Sequence, residues 1–386
     1  MSTPIRKLVD PFREFVRLEA SGGFVLLLAT IAALAWANSP WRTSYEHLAA
    51  GAHAIVNDGL MTVFFFVVGL EIKRELVAGE LRDRRVATLP AIAALGGMVA
   101  PALLYTLLNA GGPGANGWGI PMATDIAFAL GVLTVLGRRV PEPLRVFLLS
   151  LAVADDIGAI VVIAAFYTSA LALGWLAAAG GGLVLLAGLR RTRVSHPAVY
   201  LLLGVAVWFA TSESGVHPTI AGVALGLLTP AGPPAERLEN ALHPWTSFLV
   251  IPVFALANAG IHLGGTSFDA VLGSPIGAGI VVGLVVGKIV GITLSSWLVV
   301  RLGLAGLPGG VHWPQLIGVS ALAGIGFTVS LFVTGLAFPD EARQGTAKLA
   351  VLTGSAAAAV LGSALLALAS RRGSGEALTS DTVTGS

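Results

Sequence analysis

Cysteine is absent from the 386-residue chain, which excludes disulfides, cysteine-based metal sites and thiol catalysis. Charge is scarce. Only 11% of residues are Asp, Glu, Lys or Arg, against roughly a quarter in soluble globular proteins. Hydrophobic residues make up 55% of the chain, and the mean hydropathy is +0.84. One soluble core cannot hide that much apolar surface, and disorder needs the opposite composition. A net charge of +2 gives no nucleic-acid footprint, so no nucleic-acid partner is expected. HExxH, Gly-x-Ser-Gly and Gly-x-Gly-Asp stretches are all missing, and the chemistry of intramembrane proteases goes with them. Gly287-Lys288 is no phosphate loop, because Ile289 stands where a Ser or Thr is needed. What remains is an all-α polytopic membrane protein, not an enzyme, with no cofactor implied.

Long apolar stretches recur with short polar breaks. A helical span takes about 20 residues. The expected spans are 22–38, 58–78, 86–108, 117–137, 143–168, 172–189, 197–212, 217–230, 244–263, 277–300, 314–337 and 347–369. They form one transporter domain over 1–370. Residues 10–19, DPFREFVRLE, read as a short interfacial helix. The Gly-, Ser- and Thr-rich tail 371–386 reads as disordered. The run Gly22 to Ala37 reads as a retained first span rather than a cleavable signal. Placing the N-terminus, every second loop and the C-terminus on one side collects 19 of the 23 Lys and Arg residues there. Three lie on the other side, Arg42, Arg343 and Lys348, and Lys288 falls inside a span. The positive-inside rule then puts both termini in the cytoplasm.

Spans three to five (86–168) and ten to twelve (277–369) are offset by seven, an odd number, so the two groups cross in opposite senses. Each has a weakened middle span. Span four contains Gly119-Ile120-Pro121-Met122-Ala123-Thr124-Asp125, and span eleven contains Ala323-Gly324-Ile325-Gly326-Phe327-Thr328. Interrupted segments at matching positions of two halves point to inverted repeats with two broken helices crossing at midplane.

A charge at the bilayer centre costs about 2.5–3.5 kcal/mol even on a lenient scale, so charges inside spans are expected to have a task. Asp155-Asp156 lies deep in LAVADDIGAIVVIAAF. Neighbours on a helix diverge by about 100°, so both can border one cavity. Two close carboxylates titrate as a pair and can give up protons to a hard cation that prefers oxygen ligands, the minimum an exchanger needs. One lysine cannot neutralise both. Lys288, too central to snorkel, reads as either a fixed counter-ion or a proton carrier. Asp125, after Thr124, reads as offsetting exposed helix N-termini at the break in preference to binding the cation directly; Thr124 is a polar ligand or a packing residue. Glu71, Arg74 and Glu75 sit at helical spacing and by spacing alone form a surface ion-pair cluster. His217 and His243, each before a proline at a span start, read as capping or packing residues.

At these residues the chain resembles the NhaA-type bacterial sodium/proton antiporters. The matching stretches are VFFFVVGLEIKREL (63–76), LPAIAALGGMVAPALLY (89–105), IPMATDIAFALGVL (120–133), LAVADDIGAI (151–160), SGVHPTIAG (214–222), RLENALHPW (237–245), FALANAGI (254–261), GKIVGITL (287–294) and GIGFTVSLF (324–332). The resemblance implies that Asp155 and Asp156 bind the transported Na+ and carry protons, and that Lys288 pairs with one of them. It implies that Thr124 and Asp125 mark the crossing, where Asp125 and Lys288 compensate opposite dipole ends. Glu71, Arg74, Glu75, His217, Arg237, Glu239 and His243 match positions tied to pH sensing and cytoplasmic entry. Asn240 and Glu236 depart from the pattern, standing where well-known members have a histidine and a basic residue.

The implied activity is electrogenic, pH-dependent exchange of cytoplasmic Na+ or Li+ for external H+ in the bacterial inner membrane, with the lipid bilayer as surroundings. A homodimer is a further expectation, although the β-hairpin that can mediate it in this family has little room in the short first external loop. The rival is a sodium-coupled organic-solute symporter of the same broken-helix architecture, whose anionic solute should avoid two aspartates. A passive channel would need repeated filters or charged rings instead.

Overall fold

The computed structural model describes residues 4–168, 170–189, 197–265 and 268–383. Among the described residues there is no strand; backbone polar groups in lipid must be satisfied within their own segment, which favours helices. The helices are α1 (Pro4–Ala37), α2 (Arg42–Val77), α3 (Arg84–Asn109), α4 (Ile126–Leu136) preceded by a 3₁₀ helix at Ala115–Met122, α5 (Glu142–Phe166), α6 (Leu173–Leu189) and α7 (Pro197–Glu213). There follow α8 (Thr219–Leu228), α9 (Pro233–Asn258), α10 (Pro275–Arg301), α11 (Trp313–Leu322), α12 (Phe327–Ala337) and α13 (Glu341–Val383), with a short helix at Phe268–Gly273 between α9 and α10. Each of the twelve expected spans falls on one of these segments, the eleventh on the bent pair α11–α12, which turns by 47°.

Several boundaries differ from the sequence expectation. The stretch at 10–19 is not a separate interfacial helix but the first part of α1. α2 starts at Arg42, well before residue 58, because RTSYEHLAAGAHA is too polar for a hydropathy window yet helix-competent. α9 starts at Pro233 and runs through Pro244, which hydropathy takes for a helix start. α13 continues to Val383, past 371 where composition predicts disorder; no proline interrupts it, and 384–386 lie outside the described residues. The stretch between α1 and α2 is only four residues long.

Within the stretch expected as one transporter domain, backbone contacts group into two compact units. One contains residues up to Phe24, Asp83–Asp155 and Gly265 onward, and the other contains Val25–Arg82 and Asp156–Gly264.

The first unit is organised by glycine. Gly279, Gly283, Gly287 and Gly291 recur every four residues on α10, a stripe that lets backbones approach closely where no hydrophobic force drives helices together. Side chains built on them would strike Tyr105, Pro121, Pro101 and Gly96. Together with the hydrogen bond from Asn109 Nδ2 to the Pro275 carbonyl (2.8 Å), these contacts run 96–291, 101–287, 105–279 and 109–275. α3 and α10 are therefore antiparallel, as an odd offset between spans three and ten requires. In the second unit Gly222 lies on Thr62 and Phe66, and Gly226 on Phe66 and Leu70. α2 and α8 are therefore parallel, as the even offset between spans two and eight requires.

Candidate functional site

The two breaks meet in the first unit. The chain is extended at Ala123 and Asp125, and residues 323–326 separate α11 from α12. Helix ends leave orphan amides and carbonyls, and here the two breaks satisfy one another. The Asp125 amide donates to the Ile325 carbonyl at 2.6 Å, and the Thr124 hydroxyl donates to the Ala323 carbonyl at 2.8 Å. The Ser330 hydroxyl donates to the Ile120 carbonyl at 2.6 Å.

Asp125 caps both outgoing half-helices. Its Oδ1 accepts from the Phe128 amide at the start of α4 (2.9 Å). Its Oδ2 accepts from the Thr328 amide (3.0 Å) and hydroxyl (2.6 Å) at the start of α12. Each helix N-terminus is equivalent to roughly half a positive charge, so one carboxylate matches the pair.

Lys288 lies at the end of a wide π turn, Gly283–Gly287, in α10. Gly97 of α3 borders its stem: a methyl there would be in ordinary contact with Lys288 Cδ at 3.7 Å, and its clash would be with Ile292 Cγ1 at 2.7 Å. The ammonium is 0% exposed and donates to Asp155 Oδ2 and to Thr124 Oγ1, both at 2.9 Å. The lysine thus reaches the carbonyl end of α11 through the Thr124 hydroxyl, which passes the interaction on to Ala323. Asp155 is 1% exposed. Its second oxygen, Oδ1, is buried with no hydrogen-bond partner among the described residues. A buried, unmatched carboxylate oxygen is costly and suits a cation. Asp156, the next residue on α5, is also buried.

The second unit holds the other cluster. Arg74 bonds to Glu239 and stands 3.6 Å from Glu75 and 3.9 Å from Glu71. All three glutamates are buried, so this is a compact network and not the surface cluster that spacing alone suggests. His243 is buried one turn beyond Glu239, on the same face. Arg237 is exposed; two residues before Glu239, it points roughly 200° away around the helix, outside the network. Lys73, the neighbour of Arg74, donates to the Leu227 carbonyl at 2.7 Å and to that of Thr229, closing the C-terminus of α8. His217 lies apart from this network, its Nδ1 2.9 Å from Thr219 Oγ1 and its Nε2 3.6 Å from Asp58.

Sequence reasoning missed Thr328 and Ser330 as partners across the crossing, although Thr328 closes the break motif and Ser330 lies two residues beyond it. It also missed Ser355 of α13, whose Oγ accepts from the Gly326 and Phe327 amides at 3.3 Å each. Nothing in the surrounding Gly-Ser-Ala run marks that serine.

Comparison with known proteins points the same way. A family model described as Na+/H+ antiporter 1 matches residues 13–366. The chain is 49% identical to the Na(+)/H(+) antiporter NhaA of Proteus mirabilis, covering 92% of this chain and 96% of that one. It is 48% identical to the NhaA of Bordetella parapertussis over 95% of this chain and 98% of that protein. For the NhaA of Rhodopirellula baltica the identity is 46%, with 94% and 95% covered. With its crossed broken helices and its match across nearly the whole length, this multi-pass membrane chain belongs to the Na+/H+ antiporter 1 family.

Proposed function

We propose that the chain is a secondary active transporter that exports cytoplasmic Na+, or Li+, in exchange for external H+ at Asp155 and Asp156. The observation that carries this reading is the state of Asp155: one oxygen on the Lys288 ammonium, the other buried and unmatched among the described residues. A sodium ion coordinated there by Asp155 and Asp156 competes with Lys288 for the same carboxylate. A buried ammonium deprived of its counter-ion is costly, and release of its proton removes that charge. Asp156 releases the second proton. Two protons for one sodium make the exchange electrogenic. The network of Arg74 with Glu71, Glu75 and Glu239, together with His243, regulates access with pH, and Arg237 and His217 contribute as entry or sensing groups. The expected setting is the bacterial inner membrane with both termini cytoplasmic, and the protein acts alone or as a homodimer.

The test is sodium-driven proton release in everted vesicles, repeated with lithium and potassium, followed by sodium efflux from proteoliposomes under an imposed potassium–valinomycin potential. Wild type should respond to sodium and lithium and to voltage. Asp155→Asn and Asp156→Asn should each be inactive although folded. Near wild-type exchange by either variant removes that residue from the site. Counterflow of labelled sodium that requires an organic anion would favour the symporter instead.

A further inference from the structure

At the start of α12 the amides of its N-cap Gly326 and of Phe327 and Thr328 are among those that the helix itself leaves without partners. Asp125 takes only the last of them. The other two converge on the hydroxyl oxygen of Ser355, which belongs to α13, outside both breaks. Ser355 is buried, and its neighbour Gly354 keeps α13 close: a methyl at Gly354 would lie 3.0 Å from Leu284 Cδ1. Leu284 sits in the π turn that precedes Lys288, and its side chain also borders Gly326, with Cδ2 2.9 Å from a methyl built there. Away from water, amides of this kind must be matched within the protein.

We propose that Ser355 is a positioning residue for cation exchange: its hydroxyl fixes the N-terminus of the second half-helix and through it the Asp125–Thr124–Lys288 arrangement. The linkage is short and continuous. Ser355 holds the Gly326 and Phe327 amides. The adjoining carbonyls of Ile325 and Ala323 hold the Asp125 amide and the Thr124 hydroxyl. Thr124 in turn accepts from Lys288. Without Ser355 the first turn of α12 must fray or draw on Asp125, and either change displaces the groups around Lys288. Removing the hydroxyl therefore acts on the affinity for the ion more than on the rate once the ion is bound. The transport consequence rests on the exchanger reading above; the backbone consequence does not.

The test uses the full-length protein as wild type, Ser355→Ala and Ser355→Thr, with Ser355→Cys, a poor acceptor of similar size, replacing the alanine variant should that fail to fold. Hydrogen–deuterium exchange is followed on peptides spanning 323–330, and sodium-driven proton release is measured in proteoliposomes. In Ser355→Ala the Gly326 and Phe327 amides should exchange about tenfold faster, and the sodium KM should rise about tenfold, the order expected when buried polar groups lose a partner. The kcat should change far less than the KM, and Ser355→Thr should restore both protection and KM. Unchanged exchange at 326–327 in Ser355→Ala overturns the proposal, as does a threonine variant that behaves like alanine. Faster amide exchange with an unchanged KM reduces Ser355 to a structural cap and also overturns it. A wild type that releases no protons on addition of sodium defeats the exchanger reading, and the amide exchange still decides whether Ser355 holds the break.

Discussion

Breaking the Lys288–Asp155 pair is the sharpest energetic test of the site. Both groups are essentially without solvent, so no discount for screening applies, and Asp155 Oδ1 already lacks a partner among the described residues. Lys288→Gln therefore leaves an entire buried carboxylate without its cation, and Asp155→Asn leaves a buried ammonium without its anion. Each single change should cost about 3–5 kcal/mol of stability. The double variant carries two neutral amides of similar volume that can bond to each other, so its cost should fall well below the sum of the singles. The coupling should be about 2 kcal/mol or more, within the range for contacting residues. Unfolding free energies from denaturant titration in mixed micelles, taken around the full double-mutant cycle, give the number. A coupling below about 0.5 kcal/mol, the level typical of independent sites, would mean that the two groups do not act as a pair in the folded protein, and the competition scheme would lose its starting state.

Three further outcomes are expected. The apparent sodium KM should rise about tenfold for each unit of falling pH on the acid limb for each proton displaced, so the two-proton scheme gives a rise steeper than tenfold; a flat KM between pH 6 and 8 would rule out simple competition. Gly226→Ala should destabilise the protein severely, because the added methyl would lie 2.9 Å from the Leu70 amide nitrogen and 3.0 Å from the Gly69 carbonyl carbon, whereas Gly51→Ala meets nothing within 4 Å; thermal melting of both variants in detergent checks the contrast. Arg74→Gln removes the cation that Glu71, Glu75 and Glu239 face. Repulsion among the three arises only when they are ionised, so this variant should lose stability relative to wild type as pH rises, and a melting temperature gap that is constant from pH 5 to 8 would show that Arg74 is not their counter-ion.

The all-helical class and the relative direction of two helix pairs were legible because hydropathy and parity are coarse properties. The parallel contact of α2 with α8 and the antiparallel contact of α3 with α10 follow from counting crossings. Helix ends were less legible. The polar start of α2 and the interior prolines Pro90, Pro101 and Pro244 follow packing rather than propensity, since neighbouring helices can satisfy the backbone groups a proline frees. The π turns at Ile55–Leu60, Thr246–Val250 and Gly283–Gly287 leave no trace in hydropathy, because one extra residue per turn changes side-chain direction and not composition. Asp125 was legible at the site because a carboxylate beside a Gly/Pro break has an evident electrostatic partner. Ser355 was not, because a serine among alanines is the ordinary filling of a membrane helix interface, and only the backbone amides opposite it give it a task.

The buried charges at and beside the crossing divide into two kinds, and the division bears on how many protons can move. Asp125 is committed to the amides that begin α4 and α12; its negative charge offsets helix ends that do not change with the ion, so it stays ionised throughout the proposed cycle. Lys288, Asp155 and Asp156 are the groups left to exchange. With Asp156 protonated and Lys288 charged against Asp155, their formal charges sum to zero. With sodium bound, both aspartates ionised and Lys288 neutral, the sum including sodium is minus one. Two protons have left for one sodium, and the site alone carries one negative charge through the membrane field on the sodium-loaded passage. If only one proton left, the loaded and unloaded sites would carry equal charge, and voltage would have nothing to act on. A voltage-driven exchanger built on these three groups therefore needs Lys288 to lose its proton as well as Asp156, and the hydrogen bond from Lys288 to Thr124 gives the neutral amine a fixed place to remain while the sodium is bound.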